Sequence, residues 1–193
     1  EELATLVFTG DGGASEGDFH ESLNVAAVWN LPVIFCVENN SWGLSTPSEE
    51  QFKCKQFIDK GVGYGMEAIQ MDGNNILEVI RTLRKVTKEI RKNPKPVLLE
   101  AMTFRVRGHE ESSGTKYYPE GIQEEWAIKD PISNYEMFLK EEGILTDEIE
   151  SAYRKELKEL IQSSFELAQS EPLISSDEDL SLIHISEPTR RKR

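Results

Sequence analysis

The chain has 193 residues, 38% of them hydrophobic, and a formal net charge of −13. Length and composition suit one domain with a sizeable core, while the acidic balance argues against nucleic-acid binding and makes any anionic ligand depend on a cation or a local cluster of donors. The longest apolar run is far short of the roughly 20 residues a membrane-spanning helix requires, and no signal segment opens the sequence, so a cytoplasmic protein without membrane contact is expected.

An apolar run over residues 3–9 predicts the first strand, and Gly10-Asp11-Gly12-Gly13 ends it in a turn. Glycines there let backbone approach a ligand that side chains would obstruct. Phe19, Leu23, Ala26 and Ala27 then fall at helical spacing. With Glu16 and Asp18 in its first turn, a helix over residues 15–29 is predicted to aim its free N–H groups at the same spot. His20, on this helix, reads as exposed and without a role. A second strand over residues 32–37 ends in Glu38-Asn39-Asn40. Strand-helix-strand units are right-handed in nearly all cases, which makes the strands parallel and places the ligand site at their carboxyl ends. Asp11 and Asn40 both follow predicted strand ends, so they meet if the strands are neighbours.

Residues 41–47 read as a polar loop and residues 52–58 as a short helix. The glycines of Gly61-Val62-Gly63-Tyr64-Gly65 argue against a helix interior and for backbone packed tightly against a neighbour. Strands over residues 67–71 and 96–104 flank a helix that Asn74 or Asn75 caps, with Ile76, Val79, Ile80, Leu83, Val86 and Ile90 on one face. The loop from Arg105 through His109 follows a strand end, where α/β folds keep functional residues. A histidine in such a charged loop is by default solvated, and Arg105 and Arg107 either pair with nearby acids or steer phosphate, surface pairing being the default.

From about residue 120 the sequence reads as helical and acidic, with a boundary at Asp130-Pro131, a short helix from Ser133 and a long helix from Thr146. Ile149, Tyr153, Leu157, Leu160, Ile161 and Ala168 form an apolar stripe on the last. Cys36 and Cys54 show no paired spacing and read as free thiols. The expected organisation is a partial α/β cofactor-binding domain over residues 1–119, a helical extension over 120–170 and a disordered tail over 171–179. Residues 180–193 are expected to be an artefact, because their sequence resembles a translated sequencing adapter. The fold expected is α/β with a mostly parallel, doubly wound sheet. It reads as incomplete at the N-terminus, since four strands fall short of the usual five or six or so.

Asp11, Asn40 and a loop carbonyl near Trp42 offer three oxygen ligands. Magnesium takes six in near-octahedral geometry and usually draws the rest from phosphates and water. Gly-Asp-Gly alone is a common turn, and the specificity lies in its pairing with Asn-Asn. That pair, Gly10-Asp11-Gly12 followed by Asn39-Asn40, resembles the thiamine-diphosphate motif. Gly-Asp-Gly-Gly-Ala-Ser-Glu-Gly-Asp together with Glu-Asn-Asn-Ser-Trp-Gly-Leu-Ser-Thr-Pro is similar to the alpha subunit of 2-oxo acid dehydrogenases. The likeness continues through Tyr64-Gly65, Ile69 to Gly73, Arg105 to His109, Asp130-Pro131-Ile132 and the long helix, covering about residues 3–172.

The resemblance implies thiamine-dependent decarboxylation of a 2-oxo acid, with reductive acyl transfer to a lipoyl domain. It implies that Asp11, Asn40 and the carbonyl of Trp42 hold magnesium, that Gly12 and Gly13 line the diphosphate, and that His109 reaches the cofactor and acts in catalysis. The implied partners are a beta subunit or fused beta module in a heterotetramer, a lipoyl-bearing acyltransferase and a 2-oxo acid substrate; the piece alone is expected to be inactive. Two departures stand out. Glu110 replaces the regulatory serine of mitochondrial members, and Ser113 replaces an aspartate common among relatives. A rival reading takes Gly13-Ala14-Ser15-Glu16-Gly17 as the G-x-S-x-G elbow of a serine hydrolase, although five residues separate Thr9 from Ser15. A third is a non-catalytic α/β docking domain.

Overall fold

The computed structural model describes residues 2–110, 112 and 114–173; the expectations for residues 174–193 and for Ser113 lie outside the described residues. The chain divides into two compact units, residues 1–138 and 139–193. Among the described residues of the first, four strands form one parallel sheet: β1 (Thr5–Gly10), β2 (Val33–Asn39), β5 (Glu67–Asp72) and β6 (Val97–Met102), in the order β1-β2-β6-β5. A two-residue pair, β3 (Trp42–Gly43) with β4 (Thr46–Pro47), forms a small antiparallel hairpin after β2, in the segment expected to be loop.

The strand alternation builds two cores. On β2, Phe35 and Val37 face one side of the sheet, where α1 (Gly17–Trp29) supplies Phe19, Leu23 and Ala26. Ile34 and Cys36 face the other, where α4 (Ile76–Lys92) supplies Val86 and Ile90. Helices on both faces of a parallel sheet explain why β2 reads as a continuous apolar run over residues 33–37 and why β6 is apolar apart from Glu100. Each fully buried aliphatic side chain contributes about 1.5–3 kcal/mol. α4 begins as expected at Asn75, whose side chain accepts from Glu78 N at 3.2 Å. β1 is an edge strand with Leu6, Val7 and Phe8 exposed.

Four local expectations are corrected. Residues 13–15 form a 3-10 turn rather than the start of α1, and Ser15 N and Glu16 N donate to Gly12 O and Gly13 O, so they are not free for a ligand. Helix falls at α2 (Ser48–Gln51) and α3 (Ile58–Gly63) rather than over 52–58. Gly61 lies inside α3 because a Cβ there would stand 2.9 Å from Ala68 Cβ and 3.1 Å from Leu98 Cδ2; close packing on the sheet overrides propensity. His20 is half-buried, with Nδ1 2.9 Å from Tyr64 Oη and Nε2 3.5 Å from Lys60 Nζ.

After β6, α5 (Ile122–Ala127) precedes α6 (Pro131–Glu141), whose first turn Asp130 caps by accepting from Ser133 N at 2.7 Å. In the second unit α7 (Asp147–Ser170) starts at Thr146, whose hydroxyl accepts from Ile149 N. Its apolar stripe is exposed. Among the described residues no helix is long and apolar enough to cross a membrane. Cys36 and Cys54 are free, and burial, helped by Glu38, pushes the Cys36 thiol up to about 11.

Candidate functional site

β1 and β2 are parallel neighbours with Gly10 opposite Glu38, so the Gly10-Asp11-Gly12 turn and the Asn39-Asn40 pair leave the sheet at the same end. A cavity of about 460 Å³ opens there. Asp11, Gly12, Gly13, Asn40, Trp42 and His109 all line it, and so do Arg105 and Glu16. Every residue singled out from the sequence for the cofactor therefore reaches one space.

Asp11 is 1% exposed. Its Oδ2 accepts from Ser48 Oγ at 2.7 Å, and its Oδ1 has no hydrogen-bond partner among the described residues. Gly12 lies against the hairpin: a Cβ on it would stand 3.1 Å from Gly43 Cα. Backbone to backbone, the turn after β1 and the hairpin after β2 are in contact, an approach that any side chain at residue 12 would crowd. Asn39 and Asn40 make successive side-chain turns, Asn39 Oδ1 accepting from Ser41 N at 2.9 Å and Asn40 Oδ1 from Trp42 N at 3.0 Å. A carboxamide oxygen has two acceptor lobes, so Asn40 keeps one for a further ligand.

On the other wall, the Arg105 guanidinium lies 3.0 Å from His109 Nδ1 and donates to Leu44 O at 2.6 Å and Tyr117 Oη at 2.9 Å. A guanidinium only donates, so His109 Nδ1 accepts and the ring carries its proton on Nε2. Arg105 Nε is buried and without a partner among the described residues. Trp42 packs on Tyr117 and Tyr118, with ring centroids 5.5 and 5.2 Å away, and Tyr118 Oη donates to Arg105 O at 2.7 Å. The hairpin and the loop after β6 are thus locked together around the arginine.

This donor set fits a metal-bridged anion better than a bare metal. Among the described residues no group of three His, Cys, Asp or Glu side chains could hold a metal ion. The cavity has one buried carboxylate with a spare oxygen, one carboxamide and the Arg105 guanidinium on its wall, so a divalent ion there needs ligands from the anion it accompanies. A larger cavity of about 560 Å³ shares Trp42, but Asn39, Gln70 and Glu100 on its wall already bond to one another.

Sequence reasoning missed Ser48 and Tyr117, and left Arg105 between pairing with surface acids, its default, and steering phosphate; its place on the cavity wall favours the second. Nothing in local spacing marks Ser48, 37 residues from its partner; an arginine directly after an apolar strand was the available signal for Arg105. The hydrolase reading fails on geometry: Ser15 Oγ donates to Gln51 Oε1 at 3.3 Å, and His109 Nδ1 meets a cation where a triad base meets a carboxylate.

A family profile described as "Dehydrogenase E1 component" matches residues 1–176. The chain is 33% identical over 185 residues to the 2-oxoisovalerate dehydrogenase subunit alpha of Bacillus subtilis, 95% of this chain and 56% of that protein. It is 36% identical over 151 residues to the 3-methyl-2-oxobutanoate dehydrogenase subunit alpha of Mycobacterium tuberculosis, 78% of this chain and 41% of the relative. With the pyruvate dehydrogenase E1 component subunit alpha of Bacillus subtilis it shares 34% over 174 residues, 89% and 47% respectively. The chain spans about half the length of these relatives.

Proposed function

Because this chain belongs to the dehydrogenase E1 component family, we propose that it forms the alpha-subunit half of a thiamine-diphosphate site in a decarboxylating 2-oxo acid dehydrogenase. The observation that carries the reading is the convergence of Asp11, Asn40, Trp42, Arg105 and His109 on one cavity at the carboxyl ends of β1 and β2. When bound, thiamine diphosphate supplies the electron sink that lets a 2-oxo acid lose carbon dioxide. The protein anchors, orients and moves protons.

The Asp11 carboxylate, the Asn40 carboxamide and the Trp42 carbonyl would hold magnesium, and Gly12 and Gly13 would leave room for the diphosphate. On a chain of net charge −13, Arg105 supplies the local positive charge an anion requires. His109, held by Arg105 at Nδ1, offers Nε2–H as a donor to the diphosphate or to the acyl oxygen. The site would lie between this chain and a beta subunit, which would supply the rest of the cofactor's surroundings, and a lipoyl-bearing acyltransferase would be the partner that receives the product. The names of the relatives divide between pyruvate and branched-chain 2-oxo acids, which supports a 2-oxo acid substrate and does not distinguish its side chain.

The test is carbon dioxide release from pyruvate and from 3-methyl-2-oxobutanoate by the full-length subunit assembled with its beta partner. Release that requires both thiamine diphosphate and magnesium is expected, and none from residues 1–179 alone. No release from either acid, or fluorophosphonate labelling of Ser15, would overturn the reading.

A further inference from the structure

Glu100 has no part in that scheme, yet it is 0% exposed on the central strand β6, among Leu98, Leu99 and Ala101. A carboxyl group at such a place is strongly unfavourable unless its oxygens are matched. They are. Oε2 accepts from Phe57 N at 3.0 Å, Ile58 N at 3.4 Å and Gln70 Nε2 at 3.2 Å. Oε1 accepts from Asn39 Nδ2 at 2.7 Å. The two oxygens have separate consequences: one ties β6 to the loop before α3 and to β5, and the other orients a single carboxamide beside the cofactor cavity.

We propose that Glu100 is a positioning residue for the cofactor site: by holding Asn39 Nδ2 it aims Asn39 Oδ1 at Ser41 N and so fixes the turn that presents Asn40 and Trp42. A carboxamide has a donor end and an acceptor end, and only its partners decide which way it faces. With Nδ2 on Glu100, Oδ1 is left to accept from Ser41 N at 2.9 Å. That bond holds Ser41 at φ +67°, a conformation that non-glycine residues adopt only when their surroundings impose it. The next residue in one direction is Asn40 and in the other Trp42, the two that this account places on magnesium. Thr103 N, donating to Asn39 O at 3.0 Å, fixes the backbone so that the side chain is the free variable. The proposal rests on the thiamine-diphosphate reading above and adds a residue to it.

The experiment uses the full-length subunit assembled with its beta partner. It titrates thiamine diphosphate at fixed magnesium by calorimetry and follows amide hydrogen exchange at Ser41 and Trp42 without the cofactor. Glu100→Gln keeps the shape and an oxygen facing the three donors on the Oε2 side, but sets an NH2 against the NH2 of Asn39. The carboxamide then turns over and Ser41 N loses its acceptor. Affinity is expected to fall by about tenfold or more, the scale of losses when a supporting group is removed behind a metal ligand, with faster exchange at Ser41 and little change in melting temperature. Adding Asn39→Asp to Glu100→Gln supplies two acceptors and should restore affinity to within roughly twofold, close to the additivity error of such cycles.

Should Glu100→Gln fail to assemble, Asn39→Ala tests the same link and is expected to show the same loss. Wild-type affinity in the variant carrying the broken link, or a loss that Asn39→Asp does not restore, overturns this proposal alone. Absence of magnesium-dependent binding in the wild-type complex overturns the cofactor reading and this proposal with it.

Discussion

Ser48 Oγ donates to Asp11 Oδ2 at 2.7 Å, joining the first residue of α2 to the turn after β1. The bond occupies one carboxylate oxygen and leaves the other for the cavity. Ser48→Ala is expected to weaken magnesium-dependent thiamine-diphosphate binding by about tenfold, or about 1.4 kcal/mol. Ser48→Thr, which keeps the hydroxyl, should bind as wild type. Equal affinities for the alanine and threonine variants in a calorimetric titration would show that the backbone alone aims Asp11.

Arg105 meets His109, Leu44 O and Tyr117 at once, a set that a lysine's single ammonium cannot reproduce. Arg105→Lys and His109→Ala should each lower turnover by at least about tenfold, roughly 1.4 kcal/mol of barrier. Steady-state acyl transfer to a lipoyl domain measures this. If His109→Ala turns over normally, the histidine is only a solvated loop residue.

Gly12 has ordinary helical dihedrals, φ −60° and ψ −49°, so the cost of Gly12→Ala is steric: its Cβ would stand 3.1 Å from Gly43 Cα, a backbone atom that cannot swing away. A destabilisation of about 1–3 kcal/mol is expected, with loss of cofactor affinity as the hairpin is pushed off the turn. Gly10→Ala, where a Cβ meets nothing within 4 Å, is the control. Thermal melts of the two variants should separate clearly.

Burial, and then the Lys60 charge, hold His20 below its usual range. With the folded value depressed, the unfolded chain takes up the proton first as pH falls. His20 therefore contributes stability above about pH 6.5, the unfolded value, and that contribution is lost as pH drops from there through the folded value. His20→Gln should flatten this part of the melting-temperature profile between about pH 5 and 7. A steeper acid loss in the variant would contradict the sign.

The residues that announced themselves in the sequence did so through strand ends. Asp11 and Asn40 each follow an apolar run closed by turn formers, and parallel pairing of β1 with β2 was enough to bring both to one cavity. Gly61 misled because propensity counts only the helix's own backbone, whereas contacts with Ala68 and Leu98 decide that position. Ser48 and Tyr117 were invisible for a related reason: their partners Asp11 and Arg105 lie in other segments, and no spacing rule encodes such a meeting. Glu100 did leave a trace, a lone charge inside an otherwise apolar strand, though its partners emerge only with the sheet order.

The central claim is that the turn after β1 is a magnesium and diphosphate site. It is tested most directly by calorimetric titration of thiamine diphosphate into the complete enzyme with saturating magnesium, wild type against Asp11→Ala. Asp11 is the buried carboxylate of the cavity, and its loss should cost at least about 100-fold in affinity, or about 2.7 kcal/mol, with the fold intact. Wild-type affinity in Asp11→Ala would contradict the account and leave Gly10-Asp11-Gly12 as a turn and nothing more.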